Sequence, residues 1–232
     1  MTEYTKFVLN EAYKLVTPLA VWDTIHISGD DHTFRRAKPA PYFRLLSNIN
    51  NKYPFKTIVE VGSIRFAVTQ KCIDFHNQEK YTLEGPPCCS DGHSTYFFSK
   101  FGCEFHTVDI DPNRNDAINN SFIHLNEPFP SNLHVHVPCD GIEFLKTFDK
   151  KIDLLFLDGW DVGTTDYAEN HLLAYQVTKI FNKLADNCII GVDDTDFAGG
   201  FLGKDGLLGP ALIEDGFIPF HRGRCTLFIK DK

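Results

Sequence analysis

Two stretches of this chain end apolar runs in carboxylates. "IDLLFLDGWD", Ile152 to Asp161, closes on Asp158 and Asp161, three positions apart, and "NCIIGVDDTD", Asn187 to Asp196, carries Asp193, Asp194 and Asp196. Runs this apolar read as strands buried on both faces. If both strands end at one edge of one sheet, their acids meet. Clustered carboxylates at such an edge accept hydrogen bonds from a ligand or from one another's turns, and the same pattern recurs elsewhere. Glu60, followed by Gly62 and Ser63, ends one apolar run; Asp109 and Asp111 follow a second, and Asp140 a third. A single such acid is an ordinary helix cap or turn residue. The repetition after every expected core strand points to a binding edge.

The elements that must position these acids alternate from Lys56 onward. Strands are expected at 57–61, 105–110, 134–138, 153–158 and 188–193, with helices near 93–101, from Ile142, and from Tyr167 to about Leu184. This alternation implies a doubly wound, mostly parallel α/β sheet. "FIPF" (217–220) and "CTLFIK" (225–230) are joined by a link too short for a crossover helix, so they close a seven-stranded sheet as an antiparallel hairpin. Pro219 cannot donate to a ladder, which puts its strand at an edge or on a bulge. Residues 1–52 read as a helical cover whose loop, "ISGDDHTFRRAKPAP", lies near the ligand cleft. The chain is read as one domain over 1–232, with a core at 53–232 interrupted by an insert at 64–90.

In an open parallel sheet, ligands bind outside the carboxyl ends of the strands. The acid after the second strand usually accepts hydrogen bonds from a ribose, a role open to Asp109 first and Asp111 second. A dinucleotide also needs three glycines in the first turn, and "EVGSIRFAV" has one. S-adenosylmethionine carries no phosphate and tolerates that loop, with Glu60 hydrogen-bonding its amino-acid end. "AGGFLGKDG" at 198–206 echoes a phosphate loop, but its glycine spacing is short and Lys204 precedes Asp205 instead of Ser or Thr. It is read as a glycine-rich loop and no more.

These residues resemble a class I S-adenosylmethionine-dependent methyltransferase. "VEVGS" resembles the first motif, "TVDIDP" the ribose-binding acid, and "CDGIEFL" the adenine-side acid at Asp140; the final hairpin resembles the seventh-strand signature of that Rossmann-like fold. A narrower likeness is to the metal-dependent O-methyltransferases of the catechol type and those acting on macrolides and sugars. The resemblance implies metal ligands at Asp158, Asp193 and Asp194, a base at Asp161, and a methionine-carboxylate site at Gly92 and Ser94 in "GHST". The segment between Ser63 and Gly92 is longer than the family's few residues.

Three carboxylates suit Mg²⁺, with Mn²⁺ or Ca²⁺ as alternatives, and a bound dication would acidify an acceptor hydroxyl. Asp161, or His171 on the following helix, would take the proton. Without a cation the three acids would repel one another. The expected reaction is methyl transfer to a hydroxyl of a small molecule such as a sugar, a glycan precursor or a secondary metabolite with vicinal oxygens. A nucleotide-dependent oxidoreductase and a non-catalytic cofactor- or carbohydrate-binding module are the rivals.

Composition bounds these readings. The 232 residues, 43% hydrophobic with 21 Phe, can bury a sizeable core. Against 31 acids stand 23 Lys and Arg, and the net charge of −8 repels nucleic acid apart from a local contact at Arg35 and Arg36. Glu3, Lys6, Glu11 and Lys14 interrupt any signal-peptide core, and no run approaches the roughly 18 apolar residues of a membrane span. The expectation is a cytoplasmic protein with reduced thiols, compatible with a homo-oligomer. Cys72, His76, Cys88, Cys89 and His93 in and after the insert have zinc-like spacing, weighed against a lid with incidental thiols. Trp160 would stack on an acceptor or pack under the next helix, and Arg65 would pair with Glu60 or with the cofactor carboxylate.

Overall fold

The computed structural model describes residues 1–23, 40–77, 93–195, 202–223 and 225–230. One sheet runs through them. Its strands are β1 (Thr57–Val61), β2 (Glu104–Val108), β3 (Leu133–His136), β4 (Ile152–Leu157), β5 (Leu184–Val192), β6 (Phe217–Arg222) and β7 (Thr226–Lys230), in the spatial order β3-β2-β1-β4-β5-β7-β6. The first five are parallel, while β7 pairs antiparallel with both β5 and β6. The chain therefore builds outward from β1 to β3, returns, and resumes beside β1 at β4. That reversal opens a crevice at the carboxyl ends of β1 and β4.

Strand residues alternate between two cores, as the pleat requires. Ile58, Leu154, Phe156 and Ile189 face one side and pack with residues of α1 (Glu3–Asp23), α2 (Ala40–Lys52), α4 (Ser94–Ser99) and α5 (Arg114–His124). Val59, Val61, Leu155, Leu157, Ile190 and Val192 face the other, against α6 (Gly141–Thr147), α7 (Tyr167–Ile180) and α8 (Leu208–Glu214). Burial on both faces explains why β1 and β4 read as unbroken apolar runs.

Three local expectations are corrected. The helix expected to reach Leu184 stops at Ile180; Asn182 takes φ 51° and Leu184 already belongs to β5. β3 ends at His136, ahead of Pro138, which has no N–H to donate. The insert opens with a short helix, α3 (Gln70–Asn77), and the Cys72 side chain is fully buried in the core. Gly92, Cys88, Cys89, the His76 side chain and most of the 27–41 loop lie outside the described residues. Pro219 does sit on the edge strand β6, where the register with β7 shifts between Pro219 and His221. Among the described residues no helix is long and apolar enough to cross a membrane.

Candidate active site

A cleft of about 330 Å³ opens at the carboxyl ends of β1, β2 and β4. Its floor depends on Gly62, which has φ +95° and donates its N–H to the Val108 carbonyl at 2.8 Å. A Cβ there would lie 2.5 Å from the backbone of Asp158 and of Gly159, so only glycine fits between β1 and β4. Gly141 is equally confined, by Val61.

Five acids line the cleft: Asp109, Asp111, Asp140, Asp158 and Asp161. Asp109 is fixed from two sides, accepting the Ser63 N–H at 2.8 Å on Oδ2 and the Asp111 N–H at 2.8 Å on Oδ1. Arg114 pairs with Asp109 at 3.5 Å and with Asp111 at 3.1 Å. The Asn113 backbone bond, ahead of Arg114, keeps the Asp111 carboxyl below its ordinary pKa. Asp140 caps α6 by accepting the Glu143 N–H at 2.9 Å and still faces the cleft. Asp161 pairs with Arg65, which also lines the cleft. Trp160 lines the cleft and stands edge-on to His171 of the next helix, ring centroids 5.2 Å apart. Its φ of 50° is rare for a large side chain and marks a constrained site.

Five expected site residues do not line the cleft: Glu60, Ser94, His171, Asp193 and Asp194. Glu60 is fully buried; its Oε2 accepts the Thr95 and Thr107 hydroxyls, each at 2.6 Å. Thr107 in turn meets the Ser63 hydroxyl at 2.6 Å, and Thr95 accepts the Ile64 N–H at 3.1 Å. Ser94, also buried, stands beside Glu60. Glu60 therefore anchors the loop after β1 from beneath. Strand alternation sends its side chain away from the crevice, which its apolar neighbours Ile58, Val59 and Val61 could not reveal. His171 is likewise fully buried, with Nδ1 at 2.6 Å from the Tyr167 carbonyl. Burial and the nearby Lys204 push its pKa down to about 3. Its ring lies against Trp160 and has no exposure to the cleft.

Burial lifts the Glu60 carboxyl from 4.5 to about 8, against the opposing hydroxyls of Ser94, Thr107 and Thr95. A folded-state pKa above the unfolded value means that the native state holds an extra proton between those limits. Stability is thus lost as pH rises from about 4.5 through 8. Glu60→Gln is expected to flatten this decline, and melting temperature followed from pH 5 to 9 checks it; parallel curves for the two proteins would refute it.

The acids of β4 and β5 do converge. One carboxylate oxygen from each of Asp158, Asp193 and Asp194 lies within 4.8 Å of the others. Between them stands a residue that sequence reasoning set aside. Lys204 is fully buried, and its Nζ lies 2.7 Å from Asp158 Oδ1, 3.2 Å from Asp194 Oδ2 and 2.9 Å from the Asp158 carbonyl. Burial by itself would strip its proton, but Asp158, Asp194 and Asp193 together outweigh that and hold the ammonium above its ordinary pKa. By donor chemistry three carboxylates suit a divalent ion. As arranged they do not fit one, because the bridging position between Asp158 and Asp194 holds a buried like charge. A second group, Glu104, His106 and His134, starts at the amino end of β2, far along the strand from the cleft, and Glu104 is engaged by Lys150. The available signal for Lys204 was charge balance: three convergent acids call for a cation, and the loop after β5 carries one.

No protein-family model and no curated protein sequence matches this chain. Solved structures share its fold. The SAH-bound methyltransferase PaMTH1 of Podospora anserina superposes with a TM-score of 0.52 at 13% identity, covering 100% of this chain and 89% of that one. A Staphylococcus aureus protein with a provisional assignment as a caffeoyl-CoA O-methyltransferase gives 0.52 at 12%, over 96% of this chain and 100% of its own. Cofactor-bound Rv0187 from MTB gives 0.50 at 12%, over 96% and 91%. At these identities the likeness is one of fold, a seven-stranded Rossmann-like sheet.

Proposed function

We propose that this protein binds S-adenosylmethionine in the β1/β2/β4 cleft and transfers its methyl group to a hydroxyl oxygen of a small molecule. The observation that carries this reading is the pairing, at the switch point of the sheet, of an obligate Gly62 turn with Asp109 held at the end of β2. The fold shared with SAH-bound and cofactor-bound structures supports it. Asp109 and Asp111 are the acceptors for the ribose hydroxyls, with Arg114 keeping both carboxylates in place. Asp140 serves the adenine side. A pyrophosphate would meet five carboxylates in this cleft and a single glycine turn, which disfavours a dinucleotide.

At the other end of the cleft, Trp160, Asp158 and Asp161 surround the acceptor. An aromatic face and carboxylate oxygens suit a polyhydroxy compound, such as a sugar, a glycan precursor or a metabolite with neighbouring oxygens. The acceptor oxygen attacks the sulfonium methyl; the C–O bond forms as the C–S bond breaks, and the cofactor leaves as a neutral thioether. The hydroxyl proton passes to Asp161. No step runs through a metal.

Calorimetric titration with S-adenosylmethionine or its demethylated product tests the reading. Wild type is expected to bind both, and Asp109→Ala to weaken binding by about tenfold or more, roughly 1.4 kcal/mol. Wild type that binds neither would remove the proposal; unchanged affinity in Asp109→Ala would remove the ribose assignment.

A further inference from the structure

The Asp158, Asp193 and Asp194 cluster is the position that a divalent ion would take by donor chemistry, and Lys204 fills it. An ammonium has three N–H donors. Lys204 has three acceptors at hand: Asp158 Oδ1 at 2.7 Å, the Asp158 carbonyl at 2.9 Å and Asp194 Oδ2 at 3.2 Å. A long, rotamer-rich side chain is rarely buried completely without such compensation.

The loop that delivers this side chain is committed along its backbone. The Lys204 N–H donates to the Asp194 carbonyl at 3.2 Å, and the Tyr167 hydroxyl donates to the Leu202 carbonyl at 2.5 Å. Gly203 packs so closely on the 194–195 segment that a Cβ would meet Thr195 Cα and O at 2.9 Å. Asp194 itself takes φ 50°. Withdrawing the ammonium to admit an ion would break its own three contacts while the backbone on either side of it stays held, which makes the arrangement unlike a surface lysine that has drifted toward acids.

We propose that Lys204 is the built-in cation of this carboxylate cluster, standing in place of a divalent metal and acting as a positioning residue that fixes Asp158 at the acceptor end of the cleft. Asp158 is the one member of the cluster that also lines the cleft. The positioning part of this inference rests on the methyl-transfer reading; the cation part does not.

The test uses Mn²⁺ as the probe. Free Mn²⁺ is followed by its electron paramagnetic resonance signal during titration into wild type, Asp193→Asn, Lys204→Met and Lys204→Met/Asp193→Asn, with melting temperature measured in parallel. Removing the ammonium vacates the position between Asp158 and Asp194 and takes away its charge, leaving three hard-oxygen ligands around that position. Lys204→Met is expected to gain one Mn²⁺ site at least about tenfold tighter than anything in wild type, and to be stabilised by the ion. The gain disappears in the double variant. Wild type and Asp193→Asn are expected to bind Mn²⁺ equally. Tighter binding by wild type than by Asp193→Asn would overturn the proposal, because the lysine would then yield to the ion; that comparison decides even if Lys204→Met does not fold. Titration of the same samples with the demethylated cofactor separates the two claims: no cofactor binding with the expected Mn²⁺ pattern removes methyl transfer and leaves the cation assignment. Once turnover is assayed, a loss of about tenfold or more in a strong chelator would also overturn it, and Lys204→Arg is expected to retain more activity than Lys204→Met.

Discussion

Asp161→Asn is expected to lower kcat by about 10²- to 10⁴-fold, the usual worth of a positioned general base, while the affinity for S-adenosylmethionine is expected to stay within a few-fold of wild type. The substitution keeps the size of the side chain but deletes the carboxylate proposed to receive the acceptor proton. Asp161 is set for that role by its surroundings. Its carbonyl accepts both the Thr164 N–H at 3.0 Å and the Thr164 hydroxyl at 2.7 Å, which closes the 161–164 turn, and Arg65 holds its carboxylate at the cleft. The side chain remains about half exposed, at 52%, so an acceptor can reach it. Single-turnover measurements of product formation, with cofactor affinity measured separately, check this result. A kcat within threefold of wild type would mean that another group, or solvent, takes the proton.

The second large effect is on stability. Lys204→Met removes a buried positive charge from between Asp158 and Asp194. Breaking a buried ion pair from one side costs about 3–5 kcal/mol. In a chain of this size that corresponds to a fall in melting temperature of roughly 6–20 °C. The methionine fills most of the volume, so the loss reports charge and not a cavity. The Lys204→Met/Asp158→Asn double variant relieves part of the repulsion and is expected to recover part of the loss, as coupled neighbours do. A cost below about 1 kcal/mol for Lys204→Met would show that the ammonium contributes little to the fold. Urea unfolding at pH 7 measures all three proteins.

Both effects arise from groups at strand ends, and those ends differ in how readable they are from sequence. The alternation of apolar runs with helical patterns specifies the parallel sheet because it is a local signal: each strand of β1 and β4 is apolar on both faces, and each is followed by a turn. The antiparallel hairpin of β6 and β7 follows from a connection too short to cross over, and the edge position of β6 from Pro219. Asp158, Asp193 and Asp194 meet because the carboxyl ends of neighbouring parallel strands lie on one side of the sheet.

What stayed hidden depends on direction and distance. β1 is buried throughout, so no polar alternation tells which face Glu60 takes, and the register that turns it toward Thr95 and Thr107 is a property of the assembled sheet. Arg65 finds Asp161 across 96 positions. Tyr167 to Ile180 and the segment after it have similar local composition, and the helix ends where Asn182 turns into the left-handed region and β5 begins pairing with β4. Lys204 lies 46 positions from Asp158, inside a glycine-rich loop whose local pattern suggests only a turn.

The sequence by itself determined the sheet and the row of acids at its strand ends, because hydrophobic periodicity and turn chemistry act between near neighbours. Only the tertiary structure decided which acids face the cleft and what neutralises the cluster beneath it. Burial raises the cost of an uncompensated charge, and which cation meets that cost is chosen by proximity in space, through contacts that no local pattern records.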